Sequence, residues 1–169
     1  MRVIRRSFKL VAFAVLFVTI ACAPTKFSAI WKDPTYQGHP QRVLVISTFP
    51  YPGTRKLFED EFVRALKNQR VDAVVSYNTM SDPVVVDKEA LDTQAKETGA
   101  DTVLINSPVA AGMDETGGYK YIKTQTDVYD MKSGRLVFSA SAETWIRQGE
   151  PYVPQIQAYV KELVNKLSP

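Results

Sequence analysis

Residues 42–48, RVLVIST, constrain this chain more than any other segment. Four consecutive aliphatic residues show no alternation, and Phe49-Pro50-Tyr51-Pro52-Gly53 ends the run. A continuous apolar run of strand length marks a strand covered on both faces, so helices must lie above and below it. The next residues supply such a helix. Thr54 stands where it can cap a helix over 55–69, and Leu57, Phe58, Phe62, Ala65 and Leu66 form an apolar stripe at helical spacing. VDAVVSY (71–77) reads as a second strand, closed by Ser81-Asp82-Pro83. Asp87 is placed to cap a helix over 88–98, which turns Leu91 and Ala95 inward and stops at Gly99. TVLIN (102–106) is a third buried strand, ending near Pro108. Strand–helix–strand–helix–strand at these spacings implies right-handed crossovers and a partly parallel sheet.

The pattern then changes. Residues 110–118 read as a loop, and 119–130 and 135–146 as two long strands joined by a turn containing Gly134. In the second, Leu136, Phe138, Ala140 and Ala142 share one face, and Val137, Ser139, Ser141 and Glu143 the other. Pro154 opens a last helix carrying Ile156, Tyr159, Val160, Leu163 and Leu167. The expected architecture is α/β: a mixed sheet of about five strands in the order β-α-β-α-β-β-β-α, with three helices, as one domain over 42–169.

Residues 1–21 have the form of an export signal. Arg2, Arg5, Arg6 and Lys9 precede an apolar run from Leu10 to Ile20, then Ala21 and Cys22, the only cysteine. Thr19-Ile20-Ala21-Cys22 resembles a lipobox, with Thr19 where an aliphatic residue is usual. Cleavage between Ala21 and Cys22 leaves a lipidated N-terminus and a tether over 22–41. Two rivals fare worse. Secretory cleavage after Ala23 would put Pro24 behind the scissile bond, where proline blocks the reaction. A transmembrane anchor of some 14 residues reaches about 21 Å as helix, short of the roughly 30 Å hydrocarbon core. A lone cysteine is often a buried, inert thiol, but the end of this leader is the wrong place for one. An exported domain with no second cysteine also has no intramolecular disulfide to form.

Within the tether, 26–31 alternates weakly and can pair as an edge strand. Trp31 then plugs the domain edge or contacts a partner. The chain's net charge of +3 belongs to the precursor. Without the four leader cations, 17 Lys+Arg face 18 Asp+Glu, a net of −1. The charges are interspersed, so nothing suggests nucleic acid.

The core and turn positions bear a resemblance to small bacterial lipoproteins of uncharacterised function. It rests on Trp31-Lys32-Asp33-Pro34, Val43-Leu44-Val45, Phe58-Glu59-Asp60 with Phe62 and Leu66, Gly99-Ala100-Asp101 with Val103-Leu104, and Tyr129-Asp130 before Ser133-Gly134-Arg135-Leu136. In element order the chain is also similar to the domains of the curli-secretion lipoprotein and of the lipoprotein activator of penicillin-binding proteins, which dock onto other envelope proteins. The resemblance implies three acyl chains on Cys22. Ala23, in place of the aspartate that retains such proteins at the inner membrane, implies the periplasmic face of the outer membrane.

The residues for catalysis are sparse. His39, the only histidine, lies between Gly38 and Pro40 and reads as a turn residue. No Walker A, G-x-G-x-x-G or G-x-S-x-G motif is present. Asp114 and Glu115 read as a solvated loop tip rather than a cation site, and Glu59, Asp60 and Glu61 as charge complementing a helix dipole. No cofactor, metal or small-molecule substrate is expected. The aromatics leave two readings open. Tyr119, Tyr121 and Tyr129 share one face of the first long strand, with Trp145 near the end of the second. They pack against helices, or they form an exposed strip for a partner; Lys123, Gln125 and Asp127 share their parity and favour a wetter face. The expected function is a non-catalytic adaptor, anchored in the membrane through Cys22, that docks envelope proteins. A structural or peptidoglycan-contacting component is the alternative, and a carboxylate hydrolase a distant third.

Overall fold

The computed structural model describes residues 25–80 and 87–167; Ala21 and Cys22 lie outside them. Six strands, β1 (Thr25–Lys32), β2 (Arg42–Ser47), β3 (Asp72–Val75), β4 (Thr102–Met113), β5 (Tyr119–Asp130) and β6 (Arg135–Arg147), form one sheet in the order β1-β6-β5-β4-β2-β3. The helices are α1 (Pro52–Asn68), α2 (Lys88–Thr98) and α3 (Val153–Leu167). β3, β2 and β4 are parallel, and the remaining pairings antiparallel. The α/β class, the three helices and the mixed sheet are as expected.

The sixth strand is β1, which pairs with β6 from Thr25↔Thr144 to Lys32↔Phe138. Its alternation is weak in sequence because the register shifts between Phe27 and Ala29. A bulge inverts the phase of a strand midway. β4 also runs further than expected, through Pro108 to Met113, with a register shift between Pro108 and Ala110. Proline has no N–H for the ladder, and the irregularity accommodates it. α1 begins at Pro52, two residues before Thr54, with proline in the first turn and no side-chain cap. α2 follows expectation: Asp87 accepts from the Ala90 N–H, and Gly99 closes the helix at φ 67°.

α1 and α3 cover one face of the sheet. Phe58, Phe62, Leu66, Tyr159, Val160 and Leu163 pack there against Val43, Val45, Leu104, Phe138, Ala140 and Ala142. Burying such a side chain contributes about 1.5–3 kcal/mol. α2 covers a smaller area of the other face, over Leu44, Ile46 and Val103. β2 thus lies between helices, as its unbroken apolar run requires. One face assignment changes. A third register shift pairs Leu136 with Tyr129, on the face away from α1 and α3, while Val137 is buried in the main core.

After β1 the chain turns on Asp33. Its N–H donates to the Val137 carbonyl at 3.0 Å. Its carboxylate accepts from the Thr35 hydroxyl at 2.7 Å and backbone at 2.8 Å, and pairs with Arg135. The Thr35 hydroxyl above all, then the Thr35 N–H and the Arg135 charge, hold its pKa below 3.8. The carboxylate's contribution is therefore complete above that value and is lost as pH falls through the lower folded one. Wild type and Asp33→Asn should differ in melting temperature at neutral pH, and the gap should begin to close only as pH falls below 3.8.

Candidate functional site

The open side of the sheet follows from where the helices stop. On β5 and β6 one parity faces α1 and α3: Thr124, Thr126 and Val128, with Phe138, Ala140 and Ala142, are buried. Among the described residues, neither α1 nor α3 covers the opposite parity of β5, β6 and β1, and α2 lies mainly against β4. All five aromatic candidates lie on this parity. Trp31 pairs with Ser139, Tyr121 with Trp145, Tyr129 with Leu136, and Tyr119 with Arg147. Trp31 is 46% exposed, so it is not the core plug of one sequence reading. The tyrosines and Trp145 likewise do not pack beneath α1 or α3.

These aromatics do not form one strip. Tyr121 and Trp145 pack together near the far end of the hairpin, ring centroids 5.2 Å apart. Tyr121 also lies across Gly112, where an added Cβ would come within 2.8 Å of the phenol oxygen. Beside them Lys123 pairs with Glu143 at 2.9 Å. The hydrogen bond from Lys123 is the main cause lowering the Glu143 pKa. The middle of the face is polar. Gln125 donates to Asp127 (2.8 Å) and Ser139 (2.7 Å), Ser139 donates to Asp127 (2.8 Å), and Ser141 donates to the Gln125 side-chain carbonyl. Tyr129 closes the other end, its pKa raised by burial and by nearby Asp127. The result is a pre-ordered platform of hydroxyls and amides between aromatic ends. Such a surface offers directional hydrogen bonds at low entropic cost, and β1 is the outer strand of the sheet beside it. Parity pointed to the tyrosines and to Gln125 and Asp127; the network's closure through Ser139 and Ser141 needed the hairpin register.

At the other end of the sheet, on the α1/α3 side, a cavity of about 520 Å³ lies beneath residues 33–41. Val43, Leu66, Leu104, Val128, Phe138 and Leu167 give it an aliphatic wall, and His39 is among its lining residues. Its one carboxylate is Asp33, already engaged by Thr35 and Arg135. It therefore lacks the facing pair that a glycosidase-type hydrolysis requires. Asp114 accepts from the Thr116 hydroxyl at 2.6 Å and the Tyr119 N–H at 3.0 Å. Those bonds close the β4–β5 turn and lower its pKa, the Thr116 hydroxyl contributing most.

Glu59, Asp60 and Glu61 do not complement the dipole of α1, which begins at Pro52 and has no acidic residue in its first turn; Glu59 instead forms a buried ion pair with Arg55 at 2.9 Å. The Glu59 carboxylate accepts from the backbone N–H groups of Ser47 (3.1 Å), Ser76 (2.7 Å) and Tyr77 (3.1 Å), and from the Ser76 hydroxyl (2.8 Å). Arg55 donates onward to the Met80 carbonyl at 2.8 Å. With its oxygens occupied in this way, Glu59 joins α1 to the ends of β2 and β3, which is a structural task.

No family model matches this sequence, and no curated protein does. Among solved structures, the chain is similar to the PelC dodecamer from Paraburkholderia phytofirmans, with a TM-score of 0.61 and 13% identity over 85% of this chain and 96% of that one. It is similar to lipoprotein GNA1162 from Neisseria meningitidis, with a TM-score of 0.55 and 13% identity over 76% and 98%. Protein XCC0632 from Xanthomonas campestris aligns with a TM-score of 0.51 and 12% identity over 80% and 88%. At these identities the likeness is one of fold, and the resemblance to small bacterial lipoproteins holds at that level.

Proposed function

We propose that this chain is a lipid-anchored protein of the bacterial envelope that docks other envelope proteins on the uncovered face of its sheet. The observation that carries the reading is the asymmetry of β5 and β6. One face is sealed by α1 and α3, while the other carries a half-buried, ordered polar row and an exposed Trp31. The leader supports anchoring through Cys22 after cleavage behind Ala21, and Ala23 supports the outer membrane. The shared fold with lipoprotein GNA1162 agrees with that address.

A photo-crosslinking residue at Ser141, compared with one at exposed Lys161 on α3, tests the docking face in cells. The expected result is a stoichiometric protein adduct from Ser141 and none from Lys161. Capture only with cell-wall sacculi would favour the peptidoglycan-contacting alternative, and equal capture from both positions would remove the face from consideration. Mass spectrometry should show acyl chains on Cys22, and Cys22→Ala should accumulate as uncleaved precursor. A mature N-terminus at Pro24 would overturn the anchor.

A further inference from the structure

We propose that the tip formed by β4, β5 and β6 seats in the interfacial layer of a phospholipid bilayer, so that the domain stands on the membrane instead of swinging from it. The proposal rests on the anchoring of Cys22 and adds a contact that anchoring alone does not require.

The strand directions place the tip beside the anchor. β1 starts, β4 ends, β5 starts and β6 ends at the same end of the sheet, where Thr25 pairs with Thr144, Thr144 with Ile122, and Ile122 with Ala111. Cys22 precedes Thr25 by three residues, a reach of at most about 11 Å. β2 ends at Ser47, opposite Asn106, whereas β4 continues to Met113, so the tip protrudes well beyond the parallel strands. An acyl anchor on so short a link leaves this end no route away from the headgroups.

The side chains suit that position. Seven large hydrophobic residues are exposed among the described residues; Ile30 and Trp31 lie on β1 away from the tip, and the other five lie at the tip or on its side of the sheet. Met113 (55%) and Tyr119 (44%) are at the tip itself, Tyr152 (52%) opens α3 just after β6, and Val109 and Tyr51 lie further back toward that end. Tyrosine and tryptophan are favoured where an apolar ring and a polar tip must straddle hydrocarbon and water. The nearby charges balance: Lys26, Lys120 and Arg147 against Asp114, Glu115 and Glu150. Seating therefore depends on apolar area, and zwitterionic lipid suffices.

The chain carries its own reporters. Trp145 is one pairing row from Met113 and Lys120, and Trp31 pairs with Ser139, six residues earlier on β6. That separation is about 20 Å at strand rise. The full acylated chain is reconstituted in phosphatidylcholine vesicles whose lipids carry a nitroxide near the headgroup end of the acyl chain. Trp31→Phe leaves Trp145 as sole emitter, and Trp145→Phe leaves Trp31. The expected result is at least about twofold stronger quenching of Trp145 than of Trp31, insensitive to salt. In the Trp31→Phe background, adding Met113→Asp with Tyr119→Asp should lower Trp145 quenching at least about twofold while Cys22 stays acylated, and unchanged quenching would overturn the seating. That variant also keeps the test available should Trp145→Phe fail to fold. Equal quenching of both tryptophans, or of neither, on protein shown by mass to be acylated overturns the seating and leaves the anchor standing. Protein without acyl chains overturns both.

Discussion

Glu59→Ala is expected to lower the unfolding free energy by about 3–5 kcal/mol, the usual cost of leaving one member of a buried ion pair without its partner. For a domain of this size, with about 5–15 kcal/mol in total, that removes much of the margin. Arg55 would keep a buried charge, and the N–H groups of Ser47, Ser76 and Tyr77 would lose their shared acceptor. The urea midpoint should fall with the slope unchanged. The double variant Arg55→Met, Glu59→Leu tests the explanation. It removes the charge but not the orphaned backbone donors, so it should recover only part of the loss. Full recovery would mean that the charge, not the backbone, dominates the site. A loss below about 1 kcal/mol in the single variant, no more than an exposed pair contributes, would contradict the burial.

Tyr159 should give the second large effect. Its ring has Phe27, Phe58 and Phe62 around it, each with centroids 6.2 Å away. Its hydroxyl meets Asn106 Nδ2 at 2.9 Å and the hydroxyls of Thr124 at 3.1 Å and Thr126 at 2.9 Å. Tyr159→Ala opens a cavity and should cost about 3–5 kcal/mol. Tyr159→Phe keeps the volume and strands the polar partners, which should cost about 1–3 kcal/mol. Chemical denaturation of the two variants separates packing from hydrogen bonding. An undiminished Tyr159→Phe would mean that Asn106 and the threonines are satisfied without it.

Elements whose signals are local were legible. β2 was visible because burial on both faces leaves no alternation to misread, and α2 because Asp87 and Gly99 mark its two ends chemically. β1 was legible only as a segment that could pair at an edge, and the outer half of β4 reads as a loop, since a register shift in each breaks the periodicity that a strand is read from. The same physics moved Val137 into the core. Parity placed Tyr119, Tyr121 and Lys123 together correctly, but which face the helices cover is a tertiary fact that a strand's own residues do not encode. Glu59 reads in sequence as a helix-end charge, and its pairing with Arg55 was missed, because an i,i+4 ion pair looks the same on a helix surface as inside it. The one available cue was that Glu59 adjoins the stripe of Phe58 and Phe62.

β1 joins the proposed anchor at Cys22 to the sheet, and it is also the strand that closes the sheet's outer edge against β6. Proteolytic shedding by a cut within residues 33–41 would therefore do more than release the domain. It would strip the guard from the β6 edge from Phe138 to Thr144, which includes Ala140 and Ala142, and an uncovered apolar edge invites self-association. Detachment and aggregation are in this way linked by a single strand.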